Sequence, residues 1–560
     1  MRLFFYSLLV LPPLIDSVTV RTSYGQIEGF QHRIPNEQVV NVFLGIPFGK
    51  SDRFKKPTPI LPWNGVLRAR AFGPSCYNTF LLTQLQSRFS QLRAVDMPDL
   101  KAASEDCLSL NIVAPSLPNN NSRGYPVLFI VNGGTFELSG ASLLGYDALS
   151  RNFVNKGIVS VTVNYRVGPL GYLSTEDRAF PGNYGLWDRQ LALLFTREVI
   201  REFGGDPAEI TVIGEGSVIS AFSLSPHTNR LFKRAIALSG SMFSQLSIGA
   251  NCKNDSDRLS VYFGCHSSDK CTPILEAPLD DLQRAVADIG FVKDRLDNLG
   301  GMRFLPRIDH DFFPESLDRL LHKAPPIPTI TGVTQSESAM TNFYSLLQGD
   351  RRLVVPLGRQ YSYSKADLVR LIRSLDDTIL GQELLSFYAN RRTKKKQDAS
   401  FFLKLQAEMA SDILFNVPIY YEASTKSLRH GWPVYLYMEN FYPFPTSDLP
   451  INVTSYRNIS PYIYGTFLGA PYMFSEEDRL YQKQILEGFT SFIKSGRPTV
   501  NGQQWLPITT ENPDRYMSFD VQSRMATGFM KDAVDFWLGR IFRRRYRYKN
   551  LDLYFPSIVL

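Results

Sequence analysis

The sequence predicts an α/β protein of the doubly wound type, with a mainly parallel central sheet and helices on both faces. Its apolar runs are short, rich in β-branched residues and nearly free of polar interruptions, which is typical of strands covered on both faces. Helical patterns separate these runs through most of the chain, and that alternation favours a parallel sheet. No internal repeat and no linker rich in Gly, Ser or Pro divides the chain, so we expect one large domain.

Seven apolar runs are the candidate strands of this sheet. In chain order they cover residues 38–45, 126–133, 158–166, 209–216, 234–240, 328–333 and 433–439. Between the third and fourth runs, apolar residues recur at helical spacing, which predicts a helix with one buried face. The residues of this stripe are Leu191, Leu194, Phe195, Val199 and Phe203.

A second helix is predicted from its capping signals. Ser475 followed three positions later by Asp478 resembles a capping box, and Gly496 with Pro498 just beyond it is a common helix ending. The apolar residues that this helix carries are Leu480, Ile485, Phe489, Phe492 and Ile493.

Composition excludes several classes of protein. The 560 residues are 44% hydrophobic and 20% charged, which is too apolar for a disordered chain, and five cysteines are too few for a disulfide scaffold. After the N-terminus no run of about 18 apolar residues occurs, so we expect no internal membrane crossing. No His/Cys cluster has metal-binding spacing and no glycine-rich loop suits a phosphate, so neither a metal nor a cofactor is expected.

The N-terminus has the pattern of a secretory signal peptide. Arg2 precedes an apolar run, residues 3–15, that is too short to span a membrane and contains two adjacent prolines. We therefore expect residues 1–17 to be a signal peptide and the protein to be secreted, since the C-terminus carries no retention or lipid-anchor signal. Four Asn-X-Ser/Thr sequons then become candidate glycosylation sites. They are Asn120, Asn254, Asn452 and Asn458.

Two basic clusters account for the formal net charge of +8, and the rest of the chain is close to neutral. We interpret the first, residues 391–396, as a solvated loop. On a secreted protein the second suits a sulfated glycan or an anionic lipid headgroup better than nucleic acid, and a terminal segment kept soluble by charge is the other interpretation. This second cluster contains Arg540, Arg543, Arg544, Arg545, Arg547 and Lys549.

One motif carries recognisable chemistry. The fourth strand runs directly into Gly214-Glu215-Gly216-Ser217, and an apolar helix follows, which is the context of a nucleophile elbow. Around it, the segments SEDCLSLNI, VNYRVGPLGYLSTEDRAFPGNYGLWDRQ and FGGDPAEITVIGEG resemble type-B carboxylesterases and cholinesterases. The resemblance covers residues 18–540 and implies the α/β-hydrolase fold, which leaves residues 541–560 as a basic C-terminal tail.

Members of this family hydrolyse esters with a Ser–His–Glu triad. Carried onto this sequence, the nucleophile falls on Gly216, which has no side chain, and the histidine falls on Tyr456. Only the acid, at Glu337, is retained. The resemblance therefore implies a triad that has lost two of its three groups, and hydrolysis is not expected.

The family's oxyanion loop is altered as well. Its H-G-G-G-F motif matches residues 132–136, where Gly133 and Gly134 are kept but Thr135 replaces the third glycine. A β-branched residue is stiff and tolerates unusual φ poorly, so we expect the loop to aim its N–H groups less well. Ser217 is the nearest remaining hydroxyl. None of the six histidines stands at a triad-equivalent position, so a role in starting the helix is the preferred interpretation of Ser217.

The odd number of cysteines leaves one thiol without an intramolecular partner. Residue spacing does not fix the connectivity, but the family resemblance suggests a disulfide between Cys76 and Cys107. The next best pair is Cys265 with Cys271, which leaves Cys252 over.

The sequence therefore predicts a secreted, catalytically inactive carboxylesterase-like protein that acts through its surface. It resembles the family's inactive, neuroligin-like members but lacks their transmembrane helix. The expected partner is an unidentified extracellular protein, or a sulfated glycan bound through the C-terminal basic cluster. Two alternatives stay open: a residual or repurposed hydrolase that uses Ser217, and a protein that binds lipophilic esters without hydrolysing them. Because family members often pair through a helix bundle near the C-terminus, a homodimer is a further expectation.

Overall fold

The computed structural model describes most of the chain. The described residues are 16–35, 38–77, 103–119, 122–134, 136, 140–177, 179–248, 252–265, 272–289, 304–339, 353, 355, 358–391, 396–442, 451, 453–454, 459–467, 470–547 and 555.

Within these residues, a central sheet of thirteen strands organises the fold. The strands in chain order are β1 Ser17–Thr22, β2 Gly25–Arg33, β3 Val39–Pro47, β4 Val66–Arg68, β5 Ser109–Pro115, β6 Tyr125–Val131, β7 Val159–Val163, β8 Gly205–Glu215, β9 Arg234–Leu238, β10 Thr329–Thr334, β11 Val434–Glu439, β12 Tyr516–Phe519 and β13 Arg524–Ala526. Three small two-stranded ribbons lie outside it. They pair Gly49–Lys50 with Thr58–Pro59, Thr466–Phe467 with Ala470–Pro471, and Thr499–Val500 with Gln503–Gln504.

The middle of the sheet is parallel. The strand order is β1-β2-β3-β5-β7-β6-β8-β9-β10-β11-β12-β13, with β4 paired to β2. Every pair from β7 to β12 is parallel, whereas the pairs at the two margins, except β2 with β4, are antiparallel. All seven predicted strands are present, as β3 and β6 to β11. The predicted α/β fold with a mainly parallel sheet is confirmed.

Helices cover both faces of this sheet. The α-helices are α1 Asp147–Asn152, α2 Gly168–Tyr172, α3 Tyr184–Val199, α4 Gly216–Leu224, α5 Cys252–Tyr262, α6 Thr272–Glu276, α7 Leu279–Asp288, α8 Leu317–Lys323, α9 Lys365–Leu375, α10 Ile379–Leu384, α11 Ala399–Ser411, α12 Val417–Ser424, α13 Ser460–Tyr464, α14 Glu476–Ser495 and α15 Lys531–Val534. Wider, π-helical turns continue four of them, at Leu385–Ala389, Asp412–Asn416, Thr425–Arg429 and Asp535–Ile541. Tighter 3₁₀ turns lie at Ala141–Leu144, Val154–Lys156, Ile200–Phe203, Gln360–Ser362 and Phe542–Arg547.

The core has one layer on each side of the sheet. Along β6, Val127, Phe129 and Val131 belong to the hydrophobic cluster on one face, while Leu128 and Ile130 belong to the cluster on the other. Because both faces are covered, the central strands have few positions open to polar residues, which explains their continuous apolar runs.

The two predicted helices form, and one residue of the first is corrected. In α3 the residues Leu191, Phe195 and Val199 are buried, but Leu194 is 38% exposed because it lies on the same side of the helix as the exposed Glu198, four residues on. In α14 the predicted capping box forms, and Gly496 ends the helix with φ 74°. Leu480, in the first turns of α14, is 48% exposed and is not part of the buried stripe.

Packed side chains continue beyond residue 540. Ile541, Phe542 and Phe555 all belong to the core and are at most 3% exposed. The start of the segment set apart as a basic tail is therefore attached to the domain surface. None of the helices in the described ranges combines the length and the apolarity that a membrane span needs.

Candidate functional site: a glycine elbow

The elbow lies at the carboxyl end of β8, in the middle of the parallel sheet. Strand β8 ends at Glu215 and α4 begins at Gly216, with no residue between them. Two residues earlier, Gly214 passes so close to β6 that a Cβ atom there would lie 2.0 Å from the carbonyl oxygen of Val131. Only glycine fits this crossing. The predicted strand–turn–helix is present.

Position 216 is filled by backbone. A Cβ atom on Gly216 would lie 2.4 Å from the carbonyl oxygen of Gly240 and 2.5 Å from its nitrogen. Likewise, a Cβ atom on Gly240 would lie 2.7 Å from the nitrogen of Ser217. The φ angle of Gly216 is negative, so the turn does not adopt a left-handed conformation. The elbow and the loop after β9 therefore touch backbone to backbone where a side chain of residue 216 would lie.

Ser217 is buried and its hydroxyl is engaged. Its Oγ lies 2.6 Å from Oγ of Ser247, which in turn donates to the carbonyl oxygen of Ser241 at 2.7 Å. Because the Ser247 hydrogen is used in that second bond, Ser217 is the donor in the first. The proton that a base would have to remove thus points at another hydroxyl group.

Glu337 is completely buried in the turn after β10. Its Oε1 accepts from the hydroxyl of Ser239 at 2.7 Å and from the N–H of Thr334 at 2.6 Å. Its Oε2 has no hydrogen-bond partner among the described residues. Burial raises the pKa of Glu337 to about 7 against the opposing effect of these hydrogen bonds. Tyr456, where the sequence resemblance predicts the family's histidine, lies outside the described residues.

The oxyanion loop is held by contacts within the protein. The N–H of Gly134 donates to Oε2 of Glu215, the residue before the elbow, at 2.9 Å. Further along the loop Phe136 has a φ of 64°. Thr135 lies outside the described residues. One candidate oxyanion donor is therefore directed at a carboxylate of the protein itself and not at the elbow.

The described histidines are bonded elsewhere. His32 contacts Asp147, His227 contacts the carbonyl oxygen of Asp311, and the rings of His322 and His430 lie edge to face, with centroids 4.5 Å apart. His310 lies 3.5 Å from the carbonyl oxygen of Pro314, and His266 is outside the described residues. None of the five described histidines hydrogen-bonds to Ser217 or to Glu337.

Sequence reasoning missed a second buried polar group below the elbow. Glu422 of α12 accepts from the hydroxyls of Ser220 (2.8 Å) and Ser241 (2.5 Å), and its carboxylate pairs with Lys426 at 2.6 Å. An adjoining cavity of about 10 Å³ has room for one water molecule. In the sequence, only the i, i+4 spacing of Glu422 and Lys426 indicated this group, and it predicts their ion pair alone. It does not indicate the two serines, which lie about 200 residues away in the chain.

The remaining predicted sites fall in different places. The Cys76–Cys107 disulfide forms. Cys265 is also disulfide-bonded, and Cys271 lies outside the described residues. Asn254 is exposed on α5, as a glycan site requires. The other three sequons, Asn120, Asn452 and Asn458, lie outside the described residues, as does Lys549. The described part of the chain contains no group of three or more His, Cys, Asp or Glu residues positioned to hold a metal ion.

Comparison with known proteins identifies the family to which this chain belongs. The model of the carboxylesterase family matches residues 16–537. The chain belongs to the carboxylesterase family. It is 28% identical to gut esterase 1 of Caenorhabditis briggsae, over 96% of this chain and 95% of that protein. It is also 28% identical to mouse liver carboxylesterase 1, over 94% and 93%, and to bovine bile salt-activated lipase, over 93% and 87%. The family model and these relatives thus cover nearly the whole chain, including Gly216 at the start of α4.

Proposed function

We propose that this carboxylesterase-family protein is a secreted pseudoenzyme that acts by binding another extracellular molecule. The observation that carries the proposal is Gly216, where the family's chemistry needs a hydroxyl. The backbone of Gly240 occupies the space that a side chain at position 216 would need. In serine hydrolases that serve as reference systems, removal of the nucleophile lowers turnover by about 10⁶. A loss of that size leaves too little activity for an ester hydrolase.

The surroundings of the elbow support the same proposal. Nucleophilic catalysis needs a base within hydrogen-bond reach of the hydroxyl, and an acid that orients this base. The Ser217 hydroxyl donates to Ser247, and the described contacts of Glu337 are to Ser239 and Thr334. Tyr456 has no imidazole to offer.

Secretion is supported by the signal-like N-terminus together with disulfide formation. Disulfides persist in oxidising compartments, and the chain forms one between Cys76 and Cys107. An extracellular carboxylesterase-like protein without hydrolysis resembles the neuroligin-like members of the family, which act as binding proteins. We propose an extracellular protein partner for this chain on that analogy.

The test is an activity measurement on the secreted protein, with mouse liver carboxylesterase 1 as positive control. We expect no hydrolysis of 4-nitrophenyl acetate or butyrate above a heat-inactivated sample, and no labelling by a fluorophosphonate probe. Labelling that Ser217→Ala abolishes would support the residual hydrolase and contradict the pseudoenzyme. Thermal stabilisation by non-hydrolysed fatty esters would support an ester-binding protein instead. Proximity labelling on the cell surface then identifies the partner.

A further inference from the structure

The C-terminal arginines project from a segment that is fixed to the domain. The chain continues from α15 through the turns Asp535–Ile541 and Phe542–Arg547. Ile541 and Phe542 are 0% and 3% exposed, and the ring of Phe555 packs on Phe542 with centroids 5.0 Å apart. On the opposite side Arg543 and Arg544 are exposed. Their backbone is therefore ordered before any ligand arrives.

Two contacts fix how this segment lies against the hairpin of α9 and α10. Arg540 pairs with Glu383 at 2.6 Å, and the ring of Phe536 stacks on Phe387 at 4.1 Å between centroids. From Phe536 to Arg540 the residue number rises by four, while that of the contacted residue falls from 387 to 383. The two segments therefore run antiparallel. The chain then passes directly into Phe542–Arg547, so Arg543 and Arg544 follow the part of the segment that is held against this hairpin.

The two exposed arginines of this segment carry excess positive charge. In the described part of the chain no carboxylate forms an ion pair with Arg543 or Arg544, whereas Arg540 is paired with Glu383. The two positive charges of Arg543 and Arg544 are therefore not balanced by an ion pair among the described residues.

We propose that Arg543 and Arg544, with Arg540 beside them, bind a linear sulfated polysaccharide. We call these three residues the C-terminal basic surface. A guanidinium group binds a sulfate or carboxylate through two parallel hydrogen bonds, and a repeating polyanion offers such groups at regular spacing. Because the scaffold is already ordered, little conformational entropy is lost when the ligand binds.

The exposure of the apolar residues near this surface indicates which kind of anionic ligand it suits. Single-stranded nucleic acids gain much of their affinity by stacking bases on aromatic rings. Phe536 and Phe542 are only 4% and 3% exposed, so neither ring is open to a base. An anionic membrane is favoured by several exposed apolar residues beside the charges. Ile541 and Phe542, the apolar residues directly before Arg543, are both buried, which favours a hydrated polyanion.

The experiment measures binding of the intact secreted protein to heparin, a sulfated polysaccharide, over a range of salt concentrations. The variant Arg543→Glu/Arg544→Glu is compared with the control Lys55→Glu/Arg284→Glu, which makes the same change in net charge outside the C-terminal basic surface. The side chains of Lys55 and Arg284 are 66% and 65% exposed. We expect the first variant to lose about tenfold or more in affinity and to elute at lower salt. The control should stay close to the wild type.

Several outcomes would overturn the proposal. One is equal heparin affinity of the two variants, each first shown to unfold at the wild-type temperature. Others are unchanged binding to desulfated heparin, and equally tight binding to phosphatidylserine vesicles or single-stranded DNA at the same salt. The proposal relies on the proposed function only for secretion. Ester hydrolysis would refute the pseudoenzyme and leave the heparin result untouched.

Discussion

Restoring a serine at the elbow is the sharpest test of how far the site has changed. In Gly216→Ser the new Cβ atom would lie 2.4 Å and 2.5 Å from backbone atoms of Gly240, about 1 Å closer than ordinary contact. Both partners are backbone, so the turn and the loop after β9 must move apart. Overpacking of this kind costs about 1–3 kcal/mol. Gly216→Ala should cost nearly as much, because the Cβ atom causes the collision.

The assay combines chemical denaturation with ester hydrolysis. Gly539→Ala is the matched control, because a Cβ atom there meets nothing within 4 Å and its φ is not positive; it should stabilise by about 0.5–1 kcal/mol. We expect neither Gly216→Ser nor Gly216→Ser/Tyr456→His to gain measurable turnover. A gain of about 10³ or more in 4-nitrophenyl acetate hydrolysis, with unchanged stability, would refute the argument that backbone fills the site.

Three further predictions concern stability. Burial raises the pKa of Glu337 from 4.5 to about 7, so the fold favours its neutral form and the free energy of unfolding should fall as pH rises between these values. In Glu337→Gln, the decrease in the free energy of unfolding between pH 5 and pH 8, measured by urea denaturation, should be smaller by about 3 kcal/mol at most. A decrease as large as that of the wild type would contradict the raised pKa of Glu337. Burial also raises the pKa of Asp412 to about 7, and Asp412→Asn should likewise flatten the pH dependence, provided that the Tyr388 hydroxyl, 2.7 Å away, keeps a partner. Cys76→Ser should lower stability by about 3–4 kcal/mol, because it opens a loop with a sequence separation of 31; reduction of the wild type should cause at least this loss, because it also opens the disulfide of Cys265.

Elements with continuous patterns were predictable from sequence. The strands β6 to β11 are covered on both faces, so nearly every residue in them is buried and each contains an apolar or β-branched run that is easy to locate. The ends of α14 were predictable because a capping box and a terminal glycine act locally. Leu194 was assigned wrongly because helical spacing alone does not say how wide the buried face of a helix is.

The parts of the site that depend on distant contacts were not predictable. The sequence identifies Gly216 as the changed position, but its collision with Gly240 depends on how the loop after β9 returns to the elbow. Similarly, nothing local signals that Ser220 and Glu422 hydrogen-bond across about 200 residues of chain. Such contacts are set by the packing of the whole sheet, which spacing within one segment does not encode.

The pattern of hydrogen bonds around the elbow bears on whether the site still has a catalytic purpose. A catalytic site holds its donors ready for charge that develops on a substrate, so some of them have no full partner in the free protein. Here the N–H of Gly134 donates to Glu215, and the Ser217 hydroxyl donates to Ser247. Oε2 of Glu337 is the exception, a buried acceptor with no partner in the described part of the chain. Polar groups that hydrogen-bond to each other stabilise the fold but are not available to a substrate. This pattern favours a family member that has kept the fold for binding.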